Sequence, residues 1–161
     1  MNSNARLLDY QNVDDAEMMR ALMNEYAVDP MGGAQALSTE ILAQLPSTMA
    51  SVPGAFSVLG FVESEAAGLI NCLASFSTFK CKPIINIHDV VVTDKARGSG
   101  LCAIMLALVE QQAIERGCCK LTLEVLEGNQ PARKAYDKFG FQSYALNPEL
   151  GHALFWEKSL I

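Results

Sequence analysis

Between Ile84 and Arg116 the chain passes from an apolar, strand-like run through Arg97-Gly98-Ser99-Gly100-Leu101-Cys102 into a helix-forming segment. A strand that turns into a helix at two glycines leaves few folds open, because the corner needs backbone conformations that other residues resist. The same order gathers backbone N–H groups at the positive end of a helix dipole. Such a site binds phosphate-like anions without any basic side chain. The expected ligand carries a pyrophosphate.

Two glycines alone fit a plain strand-to-helix turn as well as an anion site. Neighbouring residues narrow the choice. A P-loop is excluded, since no Gly-Lys-Ser/Thr follows to reach phosphates and magnesium. A dinucleotide fold places its glycine fingerprint after its first strand and adds a third glycine. Here the loop lies past mid-chain and that third glycine is missing.

The rest of the composition bounds the class. With 161 residues, half of them apolar, the chain is expected to form one domain over residues 1–161 with its own core. A net charge of -6 supplies no basic face for nucleic acid. The five cysteines (Cys72, Cys81, Cys102, Cys118 and Cys119) are odd in number and lack CxxC spacing, and His88 and His152 stand far apart. A disulfide framework and a metal site are therefore not expected. The first ten residues lack the layout of a signal peptide, and no apolar run reaches membrane-spanning length. The expected compartment is the cytoplasm, with no membrane partner.

Along the chain, residues 5–10 predict a short strand, and Asn12 or Asp14 caps a helix from Val13 to Tyr26. Met18, Met19, Leu22 and Met23 form its apolar face, read as core. A second helix spans Ala34 to Leu45 and stops at Pro46. Strands at 55–63 and 66–76 flank a Glu63-Ser64-Glu65 hairpin, and a third covers 84–92. Gly117 closes the long helix, and Cys119 to Val125 alternate as a half-buried strand. Asn129, Pro131 and Gly140 delimit a further helix, followed by strands at 141–145 and 152–158. The order is βααβββαβαββ: an α/β (α+β) domain with a mixed, mostly antiparallel sheet of six or seven strands and about four helices.

Residues 90–102, Val-Val-Val-Thr-Asp-Lys-Ala-Arg-Gly-Ser-Gly-Leu-Cys, precede by about thirty residues the frame Asn129-x-x-Ala132-x-x-x-Tyr136-x-x-x-Gly140-Phe141. Together these segments resemble the GNAT superfamily of acyl-CoA N-acyltransferases. The resemblance implies that acetyl-CoA is the co-substrate. Its pyrophosphate would sit on Arg97, Gly98, Ser99, Gly100, Leu101 and Cys102, mostly through backbone amides. Its pantetheine arm would lie along Val90, Val91 and Val92, in a cleft where that strand parts from the one at 119–125. Asn129 would contact the arm, Ala132 belongs to the same binding frame, and Lys138 would reach the CoA phosphates. Cys102 departs from the family's Gly/Ala at that position; a small residue filling a small space is the expected reading, a reactive thiol the other.

The reaction implied is transfer of acetyl to a primary amine by direct attack. Tyr136 occupies the family's general-acid position, and a phenol near pKa ~10 suits protonation of a leaving thiolate. His88 and Asp89 are the candidate bases, with Glu124 a third. Strand alternation predicts that only one of the adjacent pair faces the cleft. The backbone N–H of Val90 is the expected oxyanion donor. The amine, whether a small molecule or a protein or peptide amine, is left open, with its selection expected from the first two helices and from Phe76 to Phe79. A homodimer through Ala153-Leu154-Phe155-Trp156 is a further expectation. The rival reading is a non-catalytic acyl-CoA-binding regulatory module on the same fold.

Overall fold

The computed structural model describes residues 2–144 and 147–160 and divides into two compact units, Met1–Leu123 and Glu124–Ile161. In the first, β1 (Ser3–Leu7), β2 (Phe56–Val62), β3 (Glu65–Ser77), β4 (Lys82–Val92) and β5 (Leu121–Leu123) form one sheet in chain order. The first four strands are antiparallel, and β5 joins β4 in parallel. Helices α1 (Val13–Val28), α2 (Thr39–Ser51) and α3 (Leu101–Glu115) complete this unit.

Local chemistry sets the boundaries. Asn12 caps α1 by accepting the Asp15 N–H at 3.0 Å. The Glu63-Ser64 turn takes positive φ at both residues, 49° and 70°, which matches the twist of a two-residue hairpin. Ser38 caps α2 through the Ile41 N–H, so this helix begins later than predicted. It also continues through Pro46, where the sequence predicts its end. A proline there leaves the carbonyl of Leu42 without its helical donor. The Arg20 side chain, from α1, donates to that carbonyl at 3.0 Å and repairs the gap.

The sheet buries both faces. Leu8, Met19, Leu22, Leu59, Phe61, Leu69 and Val91 form the core on the α1 side. On the other face α3 lays Leu101 and Met105 over Gly60 and Gly68, which oppose each other on β2 and β3. Gly117 terminates α3 as predicted, with the Cys118 N–H bonded back to the Ala113 carbonyl.

In the second unit, α4 (Gln130–Phe139) starts at Asn129 and ends at a left-handed Gly140. The predicted final strands are absent among the described residues, which accounts for five strands in place of six or seven; Ala145 lies outside the described residues. A backbone bond from Ala153 N–H to the Tyr144 carbonyl and a side-chain bond between Ser143 Oγ and His152 Nδ1 join the two segments. Leu154, Phe155 and Trp156 are exposed, so this run lacks the alternation of buried and exposed residues that fixes strand register.

Candidate active site

β4 changes character at residue 88. Its pairing with β5 covers Ile85 to Ile87 and stops. Residues 88–92 have no strand partner on that edge among the described residues. The Thr93 N–H bonds to Ala67 across β3. In an antiparallel ladder such pairs recur at every second residue, so 91 and 89 also point their polar groups at β3. The N–H groups of Val90 and Val92 therefore face the free edge.

The β3–β4 register shifts at the same place. Asn71 pairs with Asp89, whereas Cys72 pairs with Ile87, which makes His88 an extra residue in a β-bulge. The bulge resets the alternation: Leu73 lies opposite Asn86 and Asn71 opposite Asp89, so 88 and 89 share a face. His88 and Asp89 both line one cleft, which corrects the expectation that only one could.

That cleft has a volume of about 270 Å³. Met23 of α1, Ile41, Leu45 and Met49 of α2, Leu73 of β3 and the intervening Leu37 form its apolar wall. Asn71, His88 and Asp89 form its polar end. Both of the first two helices, from which amine selection is expected, contribute to its wall. Phe76 and Phe79 do not; they are exposed at the β3–β4 turn.

A buried hydrogen-bond relay crosses three strands behind Asp89. Ser57 Oγ donates to Asn71 Oδ1 at 2.6 Å, and Asn71 Nδ2 donates to Asp89 Oδ2 at 3.0 Å. Since the Ser57 proton is engaged, the Tyr10 hydroxyl donates to Ser57 at 2.8 Å. Every donor points toward the carboxylate. Burial holds the Tyr10 phenol above its usual pKa, against the Ser57 hydrogen bond, so it remains a donor. Sequence reasoning missed Ser57 and Asn71. Polar residues inside the strand runs at 56–62 and 65–77 were the available signal.

The glycine loop follows a 3-10 turn at Asp94–Ala96. Gly98 and Gly100 adopt φ of 82° and 83°, and no atom lies within 4 Å of where a Cβ would stand on either. The N–H groups of Gly98, Gly100, Cys102 and Ala103 have no acceptor among the described residues. Leu101 N–H reaches Ser99 Oγ at 3.3 Å. An open cradle of donors at a helix N-terminus suits a pyrophosphate. The Arg97 guanidinium is engaged elsewhere, by Asp29 and Asp94, both at 2.9 Å. Burial pushes the Cys102 thiol up in pKa, as expected of a packed small residue and not of a thiolate.

In the second unit, Asn129 Oδ1 accepts the Ala132 N–H at 3.2 Å, so these two residues cap α4. Tyr136 is buried and meets Phe141 edge-on, with ring centres 5.9 Å apart. Lys138 sits in the last turn, and Glu124 belongs to the same unit. Among the described residues no group of three His, Cys, Asp or Glu side chains is placed to hold a metal ion, and no helix is long and apolar enough to cross a membrane.

The sequence model of the acetyltransferase (GNAT) family matches residues 17–141. A thialysine N-epsilon-acetyltransferase from Bos taurus is 34% identical over 68 residues, 42% of this chain and 39% of that protein. An uncharacterised N-acetyltransferase, YycN, from Bacillus subtilis (strain 168) is 41% identical over 56 residues, 35% of this chain and 36% of its own length. Each match thus spans well under half of the relative. The solved structure of AAC(6')-Iy with a bisubstrate analogue, CoA-S-monomethyl-acetylneamine, superposes with a TM-score of 0.76 at 14% identity, covering 99% of both chains.

Proposed function

The chain belongs to the acetyltransferase (GNAT) family, and from that premise we propose that it transfers acetyl from acetyl-CoA to a primary amine, as one domain over residues 1–161. The observation that carries this reading is the coincidence at residue 88. The free edge of β4 begins where the bulge turns His88 and Asp89 into the cleft. One strand can then serve the thioester along its edge and the amine on its face.

Acetyl-CoA supplies the activated acetyl group. The open N–H groups from Gly98 to Ala103 would hold its pyrophosphate, and the edge at Val90–Val92 its pantetheine arm. The Val90 N–H donates to the acetyl oxygen as charge gathers there. Asp89, fixed by Asn71, holds the incoming ammonium, and the His88 imidazole accepts its proton, directly or through water. The nitrogen lone pair forms the new bond to the acetyl carbon while the C–S bond breaks toward sulfur. Tyr136 gives its proton to the departing sulfur, CoA leaves as the thiol, and the second proton lost from the acylated nitrogen returns to the Tyr136 phenolate, which leaves a neutral amide. We further place the protein in the cytoplasm, as a homodimer paired through residues 153–156.

Free CoA thiol, followed over a panel of primary amines, tests the transfer. Turnover with at least one amine is expected, together with thermal stabilisation by acetyl-CoA that ATP and NAD do not give. Stabilisation without turnover on any amine would leave the non-catalytic acyl-CoA-binding reading. In an active enzyme, Tyr136→Phe should lower kcat with little change in acetyl-CoA affinity; an unchanged kcat would remove Tyr136 from the reaction.

A further inference from the structure

The cleft beneath α1 and α2 also constrains which amine can enter, an inference that rests on the transfer reading above. Among its polar side chains, Asn71 is engaged and Asp89 is engaged at one oxygen. Asn71 uses Oδ1 on Ser57 and Nδ2 on Asp89 and on the Met23 sulfur. Asp89 uses Oδ2 on Asn71. What remains for a ligand is Asp89 Oδ1 and the His88 imidazole, neighbours on β4. The opposite wall, from Met23, Ile41, Leu45 and Met49, presents only carbon and thioether sulfur. The cleft thus offers one place for one ammonium and, for the rest, an apolar wall that is open to solvent at Ile41.

Volume gives the scale of the group that this open cleft can cover. About 270 Å³ exceeds the ~150 Å³ of a cavity that holds benzene and falls just below the ~300–1,000 Å³ of drug-sized pockets. We propose that the acceptor is a small apolar monoamine, an arylalkylamine or branched alkylamine with a short chain between ring or branch and nitrogen. Asp89 pairs with the ammonium, and the methionine and leucine wall covers the hydrocarbon. A second ammonium, as in a polyamine, would be stranded against carbon, as would the hydroxyls of an amino sugar. A peptide N-terminus brings a carbonyl and an N–H that the α1–α2 wall cannot pair. The products are the neutral N-acetyl amine and CoA thiol.

Initial rates of thiol release with 2-phenylethylamine, 3-methylbutylamine, 1,4-diaminobutane, spermidine, glucosamine and a peptide with N-terminal leucine decide it. The two apolar amines should exceed the others in kcat/KM by roughly 10- to 200-fold, the span that apolar pockets achieve. Ile41, half-exposed on α2, gives a second handle. Ile41→Glu adds an anion to the far wall and should narrow the gap between 2-phenylethylamine and 1,4-diaminobutane at least tenfold, with circular dichroism unchanged. Equal or better turnover of a diamine, amino sugar or peptide by the wild type overturns the substrate assignment while leaving the transferase intact. Absence of thiol release with every amine, while acetyl-CoA still raises Tm, takes down the transfer reading and this one with it.

Discussion

Gly100 sits at φ 83° at the N-terminal end of α3, a conformation that costs an L-residue roughly 1–2 kcal/mol. Gly100→Ala charges that strain to the loop whose N–H groups the pyrophosphate must meet, so acetyl-CoA should bind about tenfold more weakly. Arg97 makes the opposite case. Its guanidinium is half-exposed and already shared by Asp29 and Asp94. Exposed ion pairs contribute up to ~1 kcal/mol, so Arg97→Ala should change affinity less than about fivefold. Calorimetric titration of both variants checks the pair; equal Kd values for Gly100→Ala and wild type would move the pyrophosphate off this loop. The glycines were legible because their requirement is local: a left-handed φ at a strand-to-helix corner. The remote partner of Arg97 was not, since Asp29 lies 68 positions away and nothing near Arg97 specifies it.

Among the elements, α3 is placed by what β2 and β3 lack. A Cβ on Gly68 would stand 2.6 Å from Met105 Cε and 3.1 Å from Leu101 Cδ2, and one on Gly60 2.6 Å from Met105 Sδ. Met105 is fully buried and has these two glycines beneath it. Gly68→Ala should therefore destabilise by about 1–2 kcal/mol through overpacking, after the gain from a stiffer strand is allowed for. Urea unfolding measures it, and an unchanged midpoint would mean that α3 does not rest on this pair. Helix caps at Asn12, Asn129, Gly117 and Gly140 could be read in advance, because each is settled within one turn of chain. The bulge at His88 could not. Alternation is a rule about one strand, whereas a bulge is a mismatch between two, and only the β3 register reveals it. Pro46 misled for a related reason: the donor that lets α2 continue is Arg20, on another helix.

Across the whole first unit, pairs remote in sequence tie the chain together, and the tie between β1 and α1 is ionic. Arg6 grips Asp15 with two hydrogen bonds of 2.6 Å, and the Asp9 N–H adds a third at 2.9 Å. The Asp15 side chain is buried, whereas that of Arg6 is 48% exposed. The Arg6 hydrogen bonds hold the Asp15 carboxyl below its ordinary value, against the penalty of burial. A carboxylate whose pKa is lower in the folded than in the unfolded chain stabilises the fold above the unfolded value of ~3.9. That contribution disappears as pH falls through the folded value. Asp15→Asn should cost about 1–3 kcal/mol near pH 7, the worth of charge-assisted hydrogen bonds at a half-exposed arginine. The gap between wild type and variant should stay constant down to about pH 5, then close as acid protonates Asp15 in the wild type. Urea midpoints at pH 7, 5 and 2.5 measure the trend. A gap as wide at pH 2.5 as at pH 7 would assign the effect to side-chain packing at Asp15 and not to its charge.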